Sequence, residues 1–246
     1  MKRYLHAYAM CQSMFCAIPC PWKIWDEKAK DLMLLFLPLV GLVIGVLWWA
    51  AAWLCRLLGL PPLISGLILS ALPYLATGFM HLDGFMDVTD AVKSYRDLPR
   101  RREILKDSHV GSFSVIGCIL LLLAQFACFA SVPEKADIRI LLFIPVLSRC
   151  CSALAVTALP PMTTSQYADR SRSSGRIAVI LIMLAAVTAA GFLLTGRYGL
   201  CLLGGLAGYG LSLSRAYRSL QGMNGDIAGY ALTYGELAAA AVFALL

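Results

Sequence analysis

Charge is what this chain has least of. Only 14% of its 246 residues are Asp, Glu, Lys or Arg while 60% are hydrophobic. A mean hydropathy of +0.76 excludes an ordinary soluble domain. Nine cysteines, an odd number, form no Cys-x-x-Cys pair and no Cys/His cluster at zinc spacing, so they read as reduced, space-filling residues. The chain has no Walker loop and no Gly-x-Gly-x-x-Gly, and His81 and His109 lack a Ser or Cys partner at diagnostic spacing, which leaves triad chemistry unsupported. It also lacks a basic domain with interleaved aromatics, a repeat of 20 to 50 residues and any low-complexity tract. Nucleic acid is therefore not an expected partner. Lys2 and Arg3 are followed by no short apolar core with a small-residue cleavage site, so a removed signal peptide is not expected.

What is abundant is apolar sequence. Seven runs read as membrane spans: Leu32 to Leu58, Leu63 to Met80, Val110 to Val132, Ile138 to Leu159, Ile177 to Thr195, Tyr198 to Leu213, and Ile227 to Leu246. At a rise of about 1.5 Å per residue most cover a hydrocarbon core of about 30 Å, whereas the sixth needs its flanks to reach across. In that run Gly204, Gly205, Gly208 and Gly210 include a small-xxx-small spacing suited to close helix packing. Before the first run, Tyr4 to Ile18 has helical periodicity but is too short and polar to span. Pro19-Cys-Pro21 stops it, and Trp22 and Trp25 with Lys23, Lys28 and Lys30 resemble an interfacial anchor. The expected fold is all-α: one integral membrane domain, residues 1 to 246, with about seven transmembrane helices and an N-terminal interfacial helix.

The charges test this arrangement. With seven spans, 16 of the 21 Lys and Arg fall on one side, in the N-terminal segment and the loops His81 to His109, Pro160 to Arg176 and Ser214 to Asp226. Arg56, Lys135, Arg139 and Arg197 fall on the other, and Arg149 lies inside a span. Short basic loops stay in the cytoplasm, so the first side is cytoplasmic, the N-terminus is in and the C-terminus is out. The formal net charge of +7 needs no other explanation than a multi-pass protein of the cytoplasmic (inner) membrane and its lipid.

On that cytoplasmic side the stretch His81-Leu-Asp-Gly-Phe-Met-Asp-Val-Thr-Asp90 places Asp83, Asp87 and Asp90 within eight residues. If helical, steps of four and three residues align the carboxylates along one face, where unpaired they repel. A hard divalent ion such as Mg2+ or Mn2+ suits them, because it prefers oxygen ligands and shares its shell with phosphates. The plainer reading is an acidic helix start with Asp83 as N-cap. Asp226 follows Gly222-Met-Asn-Gly on the same face, and either caps the last helix or completes the metal site.

Arg149 sits where an unpaired charge costs about 3 kcal/mol or more. It could hold a phosphate bidentately or pair with Glu236. The loop after the aspartates carries Lys93, Arg96, Arg100, Arg101, Arg102 and Lys106, with Pro99 placed to begin a short helix ending near Asp107. These charges either contact anionic lipid or attract a phosphorylated substrate. His81 and His109 are candidate acids or bases, or plain hydrogen-bonding residues.

Thr77-Gly-Phe-Met-His-Leu-Asp-Gly-Phe-Met-Asp-Val-Thr-Asp90 and Arg102-Glu-Ile-Leu-Lys-Asp-Ser-His-Val-Gly111 resemble the signature of the cobalamin synthase family, the adenosylcobinamide-GDP ribazoletransferases. Phe15-Cys-Ala-Ile-Pro-Cys-Pro21, Leu37 to Gly45, Ser148-Arg149 and Gln221 to Asp226 with Glu236 are similar to it in the expected order, so the likeness covers nearly the whole chain. Ala17, Ala91, His109, Gln221 and Asn224 depart from the family pattern, often Arg, Gly, Arg, Gly and Thr there, while all four aspartates are kept.

The resemblance implies a transfer in which alpha-ribazole, or its 5'-phosphate, attacks adenosylcobinamide-GDP and releases GMP. It implies Mg2+ (Mn2+ possible) held by Asp83, Asp87 and Asp226, with Asp90 as a further ligand or the general base. Arg149 and His81 join Asp90 as catalytic residues, and Arg149, Arg102, Lys106, Asp107 and Ser108 as substrate-binding ones. A homo-oligomer is left open. Two rivals stand beside this expectation. A CDP-alcohol phosphotransferase also puts aspartates on membrane helices, but the Ala-Arg pair of its motif is missing between Phe85 and Val88. A divalent-cation transporter would want its carboxylates near the bilayer midplane.

Overall fold

The computed structural model describes residues 2–162 and 173–246, so Arg170 and Arg172, counted above on the cytoplasmic side, lie outside the described residues. The described chain is helical apart from turns, with a single isolated bridge, Pro161 to Met223. The expected all-α architecture is found, and the number of long apolar helices marks a multi-pass membrane protein. Helix α1 (Lys2–Phe15) is about 21 Å long, too short to span. It packs against a 3-10 segment, Lys30–Phe36, that leads directly into α2 (Leu37–Leu57). Then come α3 (Pro62–Ala76), α4 (Met80–Lys93), α5 (Leu98–Ile104), α6 (Ser112–Ala130), α7 (Ile140–Ala158), α8 (Ser174–Thr195), α9 (Leu200–Leu220) and α10 (Gly225–Leu245).

Among the described residues five helical stretches are long and apolar enough to cross a membrane, or six if the bent pair α3 and α4 counts as one, against the seven read from the sequence. The second sequence span stops early: α3 ends at Ala76, and the chain bends by 89° before α4. A Schellman motif makes the stop, with the Phe79 N–H donating to Tyr74 O and the Gly78 N–H to Leu75 O, and with Gly78 and Phe79 both left-handed. The fifth and sixth sequence spans form one uninterrupted helical run, Ser174–Leu220, through a 3-10 turn at Gly196–Gly199. That run is not straight. Gly191 lies directly against the Leu202 side chain and Gly199 against Phe192, so the chain turns at the positive-φ Gly196 and the start of α9 packs on the end of α8.

The packing follows from small residues at crossings. Gly41 and Gly45 of α2 rest on the backbone of α7 at Pro145 and Leu142, where a methyl group would clash. Gly204, Gly205 and Gly208 of α9 meet α10, as their spacing suggests, while Gly210 faces open space. Trp48, fully buried on α2, donates its Nε1–H to Leu69 O of α3 at 2.7 Å. Leu120 of α6 and Ile182 and Leu193 of α8 instead point outward, 62%, 68% and 84% exposed, as side chains bathed by lipid tails should. The helix that positions the acidic stretch is α4, held between α6 and α10.

Candidate active site

Helix α4 divides cleanly by face. His81, Leu82, Phe85, Val88, Thr89 and Ala91 are buried, while Asp83 is exposed and Asp87 and Asp90 are half-buried. The expected alignment of the three carboxylates is therefore present. Asp83 does not cap the helix; Phe79 occupies the N-cap position and Asp83 sits within the first turn, where the helix dipole favours a negative charge.

Asp226 reaches this face through a backbone contact. Gly84 lies so close to α10 that a Cβ there would stand 2.9 Å from Asp226 Cα, and a Cβ at Gly229 would stand 3.3 Å from His81 Cα. The cap of α10 is Asn224, whose Oδ1 accepts from the Ile227 N–H at 2.9 Å and whose Nδ2 donates to Asp226 at 2.6 Å. Capping is thus done by a neighbour, and Asp226 is left to face α4. Asp87 lies within electrostatic reach of Asp83, Asp226 and Asp90, and no Lys or Arg forms an ion pair with any of the four among the described residues.

These unpaired carboxylates fit a hard divalent cation in donor chemistry. Among the described residues no three His, Cys, Asp or Glu side chains are gathered as a ready-made metal cage. That agrees with Mg2+ habits, since the ion commonly takes one or two carboxylates and fills its shell with water and substrate phosphates.

Asp90 has a second occupation that sequence reasoning missed. Its two oxygens accept the Gly111 N–H at 2.7 Å and the Ser114 N–H at 2.9 Å, so it caps α6 from a neighbouring helix. Gly111 is needed for that approach, because a Cβ would come within 2.5 Å of Asp90 Oδ1. Nothing local signals such a cap, as the partners are more than twenty residues apart.

His81 is buried on the far side of α4, with no hydrogen-bond partner at Nε2 among the described residues. Together with Asp226 and Ser152 it lines a small cavity of about 100 Å³. Arg149 is 1% exposed and donates to Glu236 Oε1, with Ser148 Oγ bridging the two at 3.0 and 2.9 Å. The ion pair left open by the sequence is the arrangement found, deep in the bundle and away from the exposed aspartate face.

The basic loop also divides. Asp97 caps α5. Arg102 donates to Leu220 O at 3.0 Å and Gln221 O at 2.7 Å, and Arg101 to Ser219 O at 2.8 Å, so both satisfy the carbonyl end of α9. Arg102 is thereby committed to the protein rather than standing free for substrate. Lys106, Asp107 and Ser108 are exposed. Asp107 accepts from the His109 backbone at 3.0 Å and meets its Nδ1 at 2.6 Å; that hydrogen bond holds the Asp107 carboxyl below its ordinary pKa and raises the His109 imidazole above its own.

Residues 7–244 match the family described as cobalamin-5-phosphate synthase. An adenosylcobinamide-GDP ribazoletransferase of Clostridium perfringens (strain SM101 / Type A) is 37% identical over 244 residues, covering 96% of each chain. Proteins of the same description from Clostridium botulinum (strain Alaska E43 / Type E3) and Brevibacillus brevis are each 32% identical, over 242 and 238 residues; 96% of this chain is covered in both, with 96% and 95% of the relatives. No solved structure matches. With nearly its whole length matched, and with the acidic α4, the Asn224–Asp226 turn and the buried Arg149 in place, the chain belongs to the cobalamin-5-phosphate synthase family of transferases.

Proposed function

We propose that this protein joins adenosylcobinamide-GDP to alpha-ribazole, or its 5'-phosphate, giving adenosylcobalamin or its phosphate and GMP. The observation that carries the reading is that Asp83, Asp87 and Asp226, which form no ion pair with Lys or Arg among the described residues, lie within electrostatic reach of one another where α4 crosses α10. Asp83, Asp87 and Asp226 would hold Mg2+ or Mn2+, which when bound neutralises the diphosphate of the substrate. In the reaction the ribazole hydroxyl forms a new bond to the phosphorus attached to cobinamide, and the bond from that phosphorus to the GMP oxygen breaks. Catalysis is then mainly positioning and charge neutralisation.

The chain's own groups divide the remaining work. His81, which lines the same small cavity as Asp226 and has no partner at Nε2 among the described residues, would take the hydroxyl proton there. Asp90, with both oxygens already accepting N–H groups, fixes α6 against α4 and so keeps the acidic face in register. Arg149 neutralises Glu236 and sets the spacing of α7 and α10. The protein lies in the cytoplasmic (inner) membrane with the aspartates on the cytoplasmic face, a placement supported by the basic loops on that side.

The deciding experiment is a nucleotide-release assay on the purified protein in lipid, given adenosylcobinamide-GDP and alpha-ribazole with and without Mg2+. GMP should appear only when both substrates and the ion are present. Release of GDP instead would exclude the proposed bond cleavage.

A further inference from the structure

Beyond Asp90 the acidic face of α4 runs into a second feature. Asp83, Asp87, Asp90 and Ser94 follow one another at steps of four, three and four residues, and Ser94 is the first wall of a cleft of about 760 Å³ between the end of α4, α5 and the start of α6. That volume lies within the range of small-molecule sites, about 300–1,000 Å³. One helical turn, about 6 Å of rise, separates Asp90 from it.

The lining is unlike a solvated loop. Tyr95 is 82% exposed and left-handed at φ 52°, an uncommon conformation for a bulky residue and one that tends to mark functional positions. Phe113, at the start of α6, offers a second exposed ring to the same cleft. Arg96 and Arg100 add two guanidiniums; Arg100 is shared with Glu103 at 2.7 Å, and Arg96 forms no ion pair among the described residues. Asp97 adds a carboxylate with one oxygen on the Arg100 N–H and the other without a partner among the described residues. The wall is held rigidly, because Arg101 ties α5 to both Arg96 O and the end of α9.

Two rings, two cations and one carboxylate suit a guanine nucleotide. Aromatic faces stack a base, guanidiniums meet phosphate, and a carboxylate can accept from the N1–H and the exocyclic amine of guanine together. An anionic lipid headgroup would use the cations but would be repelled by Asp97 and leave the rings idle.

We infer that this cleft holds the guanosine half of the substrate diphosphate, stacked on Tyr95 with Asp97 reading the guanine edge, so that the GMP leaving group departs toward α5. This rests on the reaction proposed above. It assigns specificity to Tyr95 and Asp97, which the sequence did not single out, and to Arg96, one of the loop charges the sequence left between lipid and a phosphorylated substrate.

The test uses the full chain in lipid nanodiscs, with GMP, IMP and AMP as probes in calorimetric binding and as inhibitors of GMP release. Wild-type protein should prefer GMP to IMP and AMP. Tyr95→Ala should weaken GMP about tenfold or more while leaving the KM for alpha-ribazole unchanged, and Tyr95→Phe should restore binding. Asp97→Asn should erase the preference for GMP over IMP. Thermal unfolding of each variant guards against a folding defect, with Tyr95→Leu as the substitute if Tyr95→Ala unfolds. If wild-type protein releases GMP from its substrate but GMP affinity and base preference are unchanged in both Tyr95→Ala and Asp97→Asn, the cleft assignment is overturned and the reaction stands. If GMP binds through Tyr95 but the substrate yields no GMP, the cleft stands and the reaction falls.

Discussion

Gly84 rests on Asp226: a Cβ at position 84 would meet the Asp226 Cα at 2.9 Å and its carbonyl oxygen at 3.1 Å. Two acidic segments more than 140 residues apart in sequence are brought together by the missing side chain of one residue. Gly84→Val should therefore push α10 off α4, costing about 1–3 kcal/mol by overpacking. GMP release should fall much further than thermal stability. Equal activity in Gly84→Val would show that Asp226 need not approach Asp83 and Asp87.

Asp83→Asn and Asp87→Asn each keep shape and remove one negative charge. Both should abolish turnover while leaving expression and membrane insertion intact. In ion-free buffer their melting temperatures should equal or slightly exceed that of the wild type, because like-charge repulsion at Asp87 is relieved. Wild-type GMP release in either variant would remove these carboxylates from the reaction.

Asp90→Asn separates two roles. An amide keeps one acceptor oxygen and presents an NH2 where an N–H now points, so one of the bonds to Gly111 and Ser114 is lost. Loss of a cap typically costs about 1 kcal/mol. A few degrees of lost melting temperature with most of kcat retained is the outcome expected of a positioning residue. A loss of kcat by a thousandfold at unchanged stability would instead make Asp90 the base.

Arg149→Met leaves Glu236 buried without its cation, and breaking such a pair costs about 3–5 kcal/mol. The double variant Arg149→Met with Glu236→Leu should recover most of that stability, since apolar replacements of both partners are commonly neutral. Unfolding in detergent measures both. A normally stable Arg149→Met with a raised KM for the phosphorylated substrate would return Arg149 to substrate binding.

Cysteine labelling or reporter fusions should place Lys93 in the cytoplasm and Lys135 outside. Both on one side would break the charge argument for the orientation and leave the face of the aspartates open.

Much of this was legible in the sequence because it depends on short-range chemistry. Apolar runs announce membrane helices, as water cannot satisfy a backbone inside lipid, and a four-then-three spacing of aspartates puts them on one helix face wherever that helix lies. The short helix begun at Pro99 and the Gly204–Gly208 packing stripe were likewise local signals. At the left-handed Gln221, by contrast, no local signal was legible, because the residue that adopts that φ without steric cost is glycine.

Tertiary structure decided the rest. Whether Asp226 was a cap or a partner of the cluster turned on Asn224 taking the cap and on Gly84 admitting α10. Whether Arg149 met a phosphate or Glu236 turned on which helix packed beside α7. Arg102 was drawn to the carbonyl end of α9, Asp90 to the N–H groups of α6, and Tyr95 into a cleft between three helices. The sequence by itself determined which segments are helical and apolar, and which carry charge, because periodicity and hydropathy act within a few residues. Which charged groups face one another was set only by the crossings of distant helices, where a single absent methyl group or an unsatisfied helix end selects the neighbour.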